Sequence, residues 1–115
     1  MKYMILIYND PALEPAYGSE AFEKMMGDYF AVNDAMGKAG ILISGDGLQD
    51  VDTATTIRLK DGKIETMDGP FAETKERLGG YYIVDCTDLD QALHFAAMIP
   101  LFGSLEVRPL ATYGV

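Results

Sequence analysis

The chain has one cysteine, Cys86, and one histidine, His94, among 115 residues. A lone cysteine cannot close an internal disulfide, which fits a reducing compartment and leads to the expectation of a cytoplasmic protein. One histidine and one cysteine supply no metal-ligand spacing, so no metal is expected. Gly45, Gly47, Gly79 and Gly80 do not form a phosphate-loop pattern, and no nucleotide or other cofactor is indicated. Positive charge is also scarce. Nine basic residues face eighteen acidic ones, for a formal charge of −9. The basic residues are scattered and phosphate backbones are gripped by lysine and arginine, so direct nucleic-acid binding is disfavoured and none is expected; acidity of this degree serves solubility. The apolar run Met4 to Tyr8 stops at Asn9-Asp10-Pro11. It is too short for a signal core or a membrane span.

What remains is ample for a core. A hydrophobic content of 49% and the length point to a single domain over residues 1–115, without repeats, linkers or low-complexity segments. Lys2 to Tyr8 has strand length and the continuous apolar character of a central strand covered on both faces. Ser19 reads as a helix N-cap, with Glu20 and Glu23 in the first turn, where the helix dipole favours negative charge. Phe22, Met25, Met26, Tyr29 and Met36, flanked by Phe30 and Val32, recur at helical spacing as one apolar stripe, and Gly40 ends that helix. Asn33 falls inside the stripe, where a satisfied core hydrogen bond is the expectation.

Ile41 to Ser44 reads as a short strand ended by Gly45-Asp46-Gly47. Thr53 to Lys60 alternates, with Ile57 and Leu59 expected inward. Asp61-Gly62 is a two-residue hairpin turn, and Lys63 to Met67 returns as its partner. Tyr81 to Cys86 is a further strand. Thr87 or Asp88 caps a second helix with Leu89, Ala92, Leu93 and Ala96 on one face, and Pro100 marks its end. Leu105 to Leu110 closes the series, with Pro109 at an edge or bulge. The order matches an α+β, ferredoxin-like βαββαβ plan with an extra hairpin. A sheet with helices on one face needs cover on the other, and a second copy stacked sheet to sheet supplies it, so a homodimer is expected.

Residues 68–82 are the densest constellation. As chain geometry, Gly69 before proline is expected to be extended, and Pro70 suits the start of a short helical turn capped by Asp68 or Gly69. Glu73 and Arg77 are spaced to pair on that turn, which Gly79-Gly80 would stop. As chemistry, Asp68, Glu73, Lys75 and Glu76 gather both charge signs at a strand end. Carboxylates beside a lysine are the raw material of an acid–base pair. On that reading Glu73 or Asp68 is the base, and Lys75 or Arg58 neutralises an anionic substrate. Tyr8 or Tyr81 donates a hydrogen bond, and Phe71 and Glu76 line the same cleft. His94 is expected on the helix surface, and Cys86 as a buried structural thiol.

Asp68-Gly69-Pro70-Phe71, followed by Ala72-Glu73-Thr74-Lys75-Glu76 and Leu78-Gly79-Gly80-Tyr81-Tyr82, resembles the motif of the DGPF-domain (YCII-related) family. Lys2-Tyr3-Met4 with Tyr8, the stretch 45–48, Thr55-Thr56-Ile57-Arg58 and Glu106-Val107-Arg108-Pro109 extend the resemblance over the whole chain. It implies a dimeric α/β-barrel-type fold with no established reaction. Some relatives are associated with extracytoplasmic-function sigma factors, implying a regulatory, protein-binding alternative to a small-molecule site. Others have been viewed as histidine–aspartate enzymes; this chain departs from that pattern, having no histidine in the motif region.

Overall fold

The computed structural model describes residues 1–111. Six strands and two helices follow in the order β1 (Lys2–Asn9), α1 (Glu20–Lys38), β2 (Leu42–Gly47), β3 (Thr55–Lys60), β4 (Lys63–Asp68), β5 (Arg77–Asp85), α2 (Leu89–Ala96) and β6 (Gly103–Pro109), with a short 3-10 turn at Val51–Thr53. Four strands form an antiparallel sheet in the order β2-β5-β1-β6, and β3 pairs only with β4. This is a mixed α+β architecture compatible with the ferredoxin-like plan. β6, which ends at Pro109, is an edge strand, the position where a residue without an N–H is tolerated.

The core lies between the sheet and the two helices. Tyr3, Ile5 and Ile7 of β1 and Tyr82 and Val84 of β5 point into it. They meet Val32 and Met36 of α1, Ala92 and Ala96 of α2, and Cys86 and Ile99. β1 is therefore covered on one face only. Its other residues, Met4, Leu6 and Tyr8, are half-exposed beside Ile83 and Tyr81 of β5. Both helices start as their sequences direct: the Ser19 hydroxyl accepts from the Phe22 N–H at 3.1 Å, and the Asp88 carboxylate from the Gln91 N–H at 2.9 Å. Two i,i+4 ion pairs, Lys24–Asp28 at 2.8 Å and Lys38–Asp34 at 2.9 Å, line the outer face of α1. Gly40, at φ +71°, lets the chain leave that helix.

Several expectations are corrected. The apolar stripe of α1 is broader than its contact. Val32 and Met36 are buried and Phe22, Met25 and Tyr29 half-buried, whereas Met26 and Phe30 are exposed. Asn33 is exposed as a residue, yet its Oδ1 accepts from the Tyr82 hydroxyl at 2.6 Å. In α2 the alanines are buried while Leu89 and Leu93 stay exposed, because the small residues let the short helix sit close to the sheet.

β2 runs through Gly45-Asp46-Gly47 instead of ending there. A Cβ on Gly45 would come within 2.6 Å of the Tyr82 ring, so the glycine admits the aromatic side chain and remains part of the ladder. The turn of the β3–β4 hairpin is as read: Asp61 and Gly62 both have positive φ, 52° and 78°. Ile57 and Leu59, however, are 66% and 74% exposed, since no layer among the described residues covers the hairpin. Residues 69–76 form no helical turn. Gly69 takes φ +95° in place of an extended conformation, and Arg77 to Gly80 belong to β5, so Glu73 and Arg77 do not pair.

Candidate functional site

The motif segment is a loop tied at both ends. On the hairpin side the Gly69 N–H donates to the Ala54 carbonyl, and the Gly69 carbonyl accepts from the Thr56 hydroxyl, each at 2.7 Å. Arg58 Nη2 donates to the Phe71 carbonyl, also at 2.7 Å. On the sheet side both Glu76 oxygens lie 3.1 Å from the Ser104 hydroxyl of β6. Gly103 is needed at that junction: a Cβ there would meet the Tyr8 carbonyl at 2.4 Å and Glu76 Oε1 at 2.9 Å.

Between hairpin base, loop and sheet lies an open cavity of about 740 Å³, bounded by Tyr8, Leu48, Phe71, Glu73, Glu76 and Arg77 among others. A second hollow of about 640 Å³ opens on the other side of Glu76, bounded by Tyr8, Asp10, Thr74, Lys75 and Gly103. Tyr8 and Glu76 form the partition. The two spaces have different chemistry. The larger is walled by the 50–56 segment and the motif prolyl and phenyl groups, and is mixed apolar and acidic. In the smaller, Lys75 Nζ stands 3.8 Å from Asp10 Oδ2.

Asp10 is the residue that sequence reasoning passed over. Asn9-Asp10-Pro11 reads as a strand breaker, and Asp10 does break the strand: its Oδ1 accepts from the Ala12 N–H at 2.9 Å, an Asx-type turn. It is also 7% exposed, the buried charged residue of the described chain, with Lys75 as its nearest cation. A carboxylate directly after a central strand, followed by proline, was the available signal.

The other sequence-derived candidates separate. Tyr8, Phe71, Glu73, Glu76 and Lys75 converge on the two spaces, and Arg58 braces the loop from outside. Asp68 pairs in register with Thr55 at the hairpin base and lines neither space. Tyr81 is on the open face of the sheet, opposite Leu6, where its hydroxyl donates to Asp46 Oδ2 at 2.9 Å. That hydrogen bond, then the carboxylate's charge, raises the Tyr81 pKa. Tyr8 reaches from the same face toward Glu106 Oε1 at 3.4 Å.

His94 is exposed, edge-on to Phe95 at a centroid distance of 5.1 Å. Cys86 is buried, and burial, with Asp85 adding to it, pushes its thiol pKa up, the reverse of nucleophile activation. Among the described residues no group of three or more histidine, cysteine or carboxylate side chains is placed to hold a metal ion. None of the described helices is long and apolar enough to cross a membrane.

The model of the YCII-related domain matches residues 1–111, and thus the sheet, both helices, the hairpin and the loop. The chain belongs to the YCII-related family. It is similar to an uncharacterized protein of Rhizobium meliloti (strain 1021), at 44% identity over 117 residues covering 98% of this chain and 94% of that protein. That match takes in nearly the whole of both chains. For a YCII-related chain the reaction has to be argued from the site itself, since fold and kinship name none.

Proposed function

We propose that this YCII-related protein binds a small polar or anionic molecule beside the motif loop and acts as a cytoplasmic homodimer. The observation that carries the reading is the convergence of Tyr8, Asp10, Lys75 and Glu76 around a hollow between the loop and the end of the sheet. Lys75 keeps most of its side chain in solvent and is held only loosely by Asp10, so it is free to meet an anionic group. Glu76, fixed by Ser104, and Glu73 on the neighbouring wall accept hydrogen bonds from the ligand or take a proton from it. Tyr8 supplies a hydroxyl from the central strand. Asp68 and Tyr81 lie outside this set, and Arg58 and Phe71 shape the loop.

The dimer reading rests on the open sheet face. Met4, Leu6 and Ile83 form a half-exposed apolar stripe, rimmed by Asp46, Glu106 and Arg108. A second sheet stacked there, at the usual spacing of about 10 Å, completes the dimeric α/β-barrel arrangement and covers the stripe. The apolar hairpin face formed by Ile57, Leu59 and Ile64, 66–74% exposed, favours a second reading: a regulatory protein-interaction module, including one that works beside a sigma factor.

A thermal-shift screen against a broad metabolite set, run beside Lys75→Ala and Glu76→Ala, tests the site. A ligand that raises the melting temperature of the parent protein but of neither variant supports it. A ligand whose effect survives both substitutions places binding elsewhere. Sedimentation of Leu6→Glu tests the dimer: a shift to monomer supports the stacked sheets, and an unchanged mass removes them.

A further inference from the structure

A third space lies on the opposite side of the sheet, between β2, β5 and the N-terminal half of α1. It has a volume of about 480 Å³ and shares only Leu48 with the larger motif cavity. The sequence creates it by leaving side chains out. Gly47 is paired with Gly80, and both stand two residues along their strands from the Gly45–Tyr82 pair, whose tyrosine faces the helices. The helix-side floor of the sheet is therefore bare backbone at its β2–β5 end. Above it α1 presents Met25, Met26 and Tyr29, none of them fully buried, although Val32 and Met36 of the same helix are. Bare floor and partly covered roof leave a slot where a closed core would have filled the gap with side chains.

The chemistry of the slot is one-sided. No lysine, arginine or histidine is among its lining residues, and Glu14 stands at its mouth. Asp46 contributes backbone only, because its carboxylate is on the other face with Tyr81. Burial and then Glu14 raise the Tyr29 pKa; burial and then Tyr29 raise that of Tyr82. Both rings therefore stay protonated and neutral. At the inner end Asn9 lies against Gly79, where a Cβ would approach its Nδ2 to 2.7 Å, and Asn9 Oδ1 is buried without a hydrogen-bond partner. An amide oxygen in that state lacks a donor. Soft methionine and tyrosine surfaces and negative charge at the entrance define a complementary ligand.

We propose that this slot is a second binding site, separate from the motif loop, for a planar aromatic molecule carrying an amine. The ring lies between the glycine floor and the Met25–Tyr29 roof, and the protonated nitrogen sits towards Glu14 at the mouth.

The protein contains no tryptophan, so the fluorescence of an indole probe reports on the probe alone. Titrations with tryptamine, indole and indole-3-acetate at one ionic strength separate shape from charge. Saturable binding with tryptamine preferred over indole-3-acetate by about tenfold, equivalent to about 1.4 kcal/mol, is expected. Glu14→Gln should shrink that preference while leaving indole bound as before.

Gly47→Leu fills the slot cheaply, because a Cβ there has its nearest neighbour at 3.9 Å. It should lower affinity for both tryptamine and indole at least tenfold with the melting temperature retained. Equal or tighter binding of indole-3-acetate, or tryptamine binding unaffected by Gly47→Leu, overturns the proposal. Tryptamine binding abolished by Lys75→Ala and Glu76→Ala but not by Gly47→Leu also overturns it, and assigns the probe to the motif cavity. Loss of the metabolite effects at Lys75 with normal tryptamine binding leaves the slot standing.

Discussion

Ile5, in a continuously apolar strand, is fully buried, while Ile57, in an alternating one, is 66% exposed. β1 pairs on both sides and lies under two helices. β3 pairs only with β4, and the hairpin stands away from the body. The shape records this difference: the molecule measures 49 × 45 × 17 Å, with a radius of gyration of 16.3 Å, against about 13 Å for a compact domain of 100 residues. Alternation of apolar residues reports that a segment is a strand and which of its residues share a face. It does not report that another layer is present to cover that face. A two-stranded hairpin is marginal alone in water, and this arm leaves Ile57, Leu59, Ile64 and Met67 exposed.

The contrast is sharpest in the cost of truncation. Ile5→Ala should lose about 2–5 kcal/mol in urea unfolding, and Ile57→Ala within about 0.5 kcal/mol in dilute monomer. A cost for Ile57→Ala that rises with protein concentration would show the arm covered by a second copy; a cost equal to that of Ile5 at every concentration would mean the hairpin is packed within the chain. Gly69→Ala should follow. Its φ of +95° suits glycine, and alanine there should cost more than about 1 kcal/mol and loosen the junction between arm and body.

Helix entry comes next. Asp88→Ala should lose about 1 kcal/mol by leaving the Gln91 N–H without its carboxylate, with no effect on hydrogen exchange in the hairpin. That exchange should itself be fast in β3 and β4 and slow in β1 and β5; equal protection would erase the distinction between the regions. The smallest effect concerns alkaline pH. Tyr29 and Tyr82 have pKa values raised in the folded protein, chiefly by burial, so the unfolded chain gives up these protons first. Their contribution is complete below the unfolded value of about 10 and is lost as pH climbs through the folded values. Tyr29→Phe should flatten that decline in an alkaline denaturation series.

Much of the plan was legible without coordinates. Ser19, Gly40, Asp61-Gly62 and Pro109 each mark a boundary by a local rule, and the structure places an N-cap, a helix exit, a hairpin turn and an edge-strand end there. The candidate site was legible in part. Tyr8, Phe71, Glu73, Lys75 and Glu76 meet at the motif cavities, because four of them are neighbours in a loop and the fifth ends the central strand beside it. Tyr81 emerges on the same face as Tyr8 but opposite Leu6, further from the motif loop, and that register position is not fixed by local sequence.

Local chemistry by itself determined the order of the elements, their caps and turns, and the absence of ligand-spaced histidines and cysteines. Those follow from backbone preferences and hydrogen bonds that span a few residues. Only the tertiary structure decided that Asp10 is buried beside Lys75 and that paired Gly47 and Gly80 leave a slot under α1. It alone also decided that the Ile57 face is left uncovered among the described residues. Each depends on which distant segments meet, and burial is a property of the meeting and not of the residue.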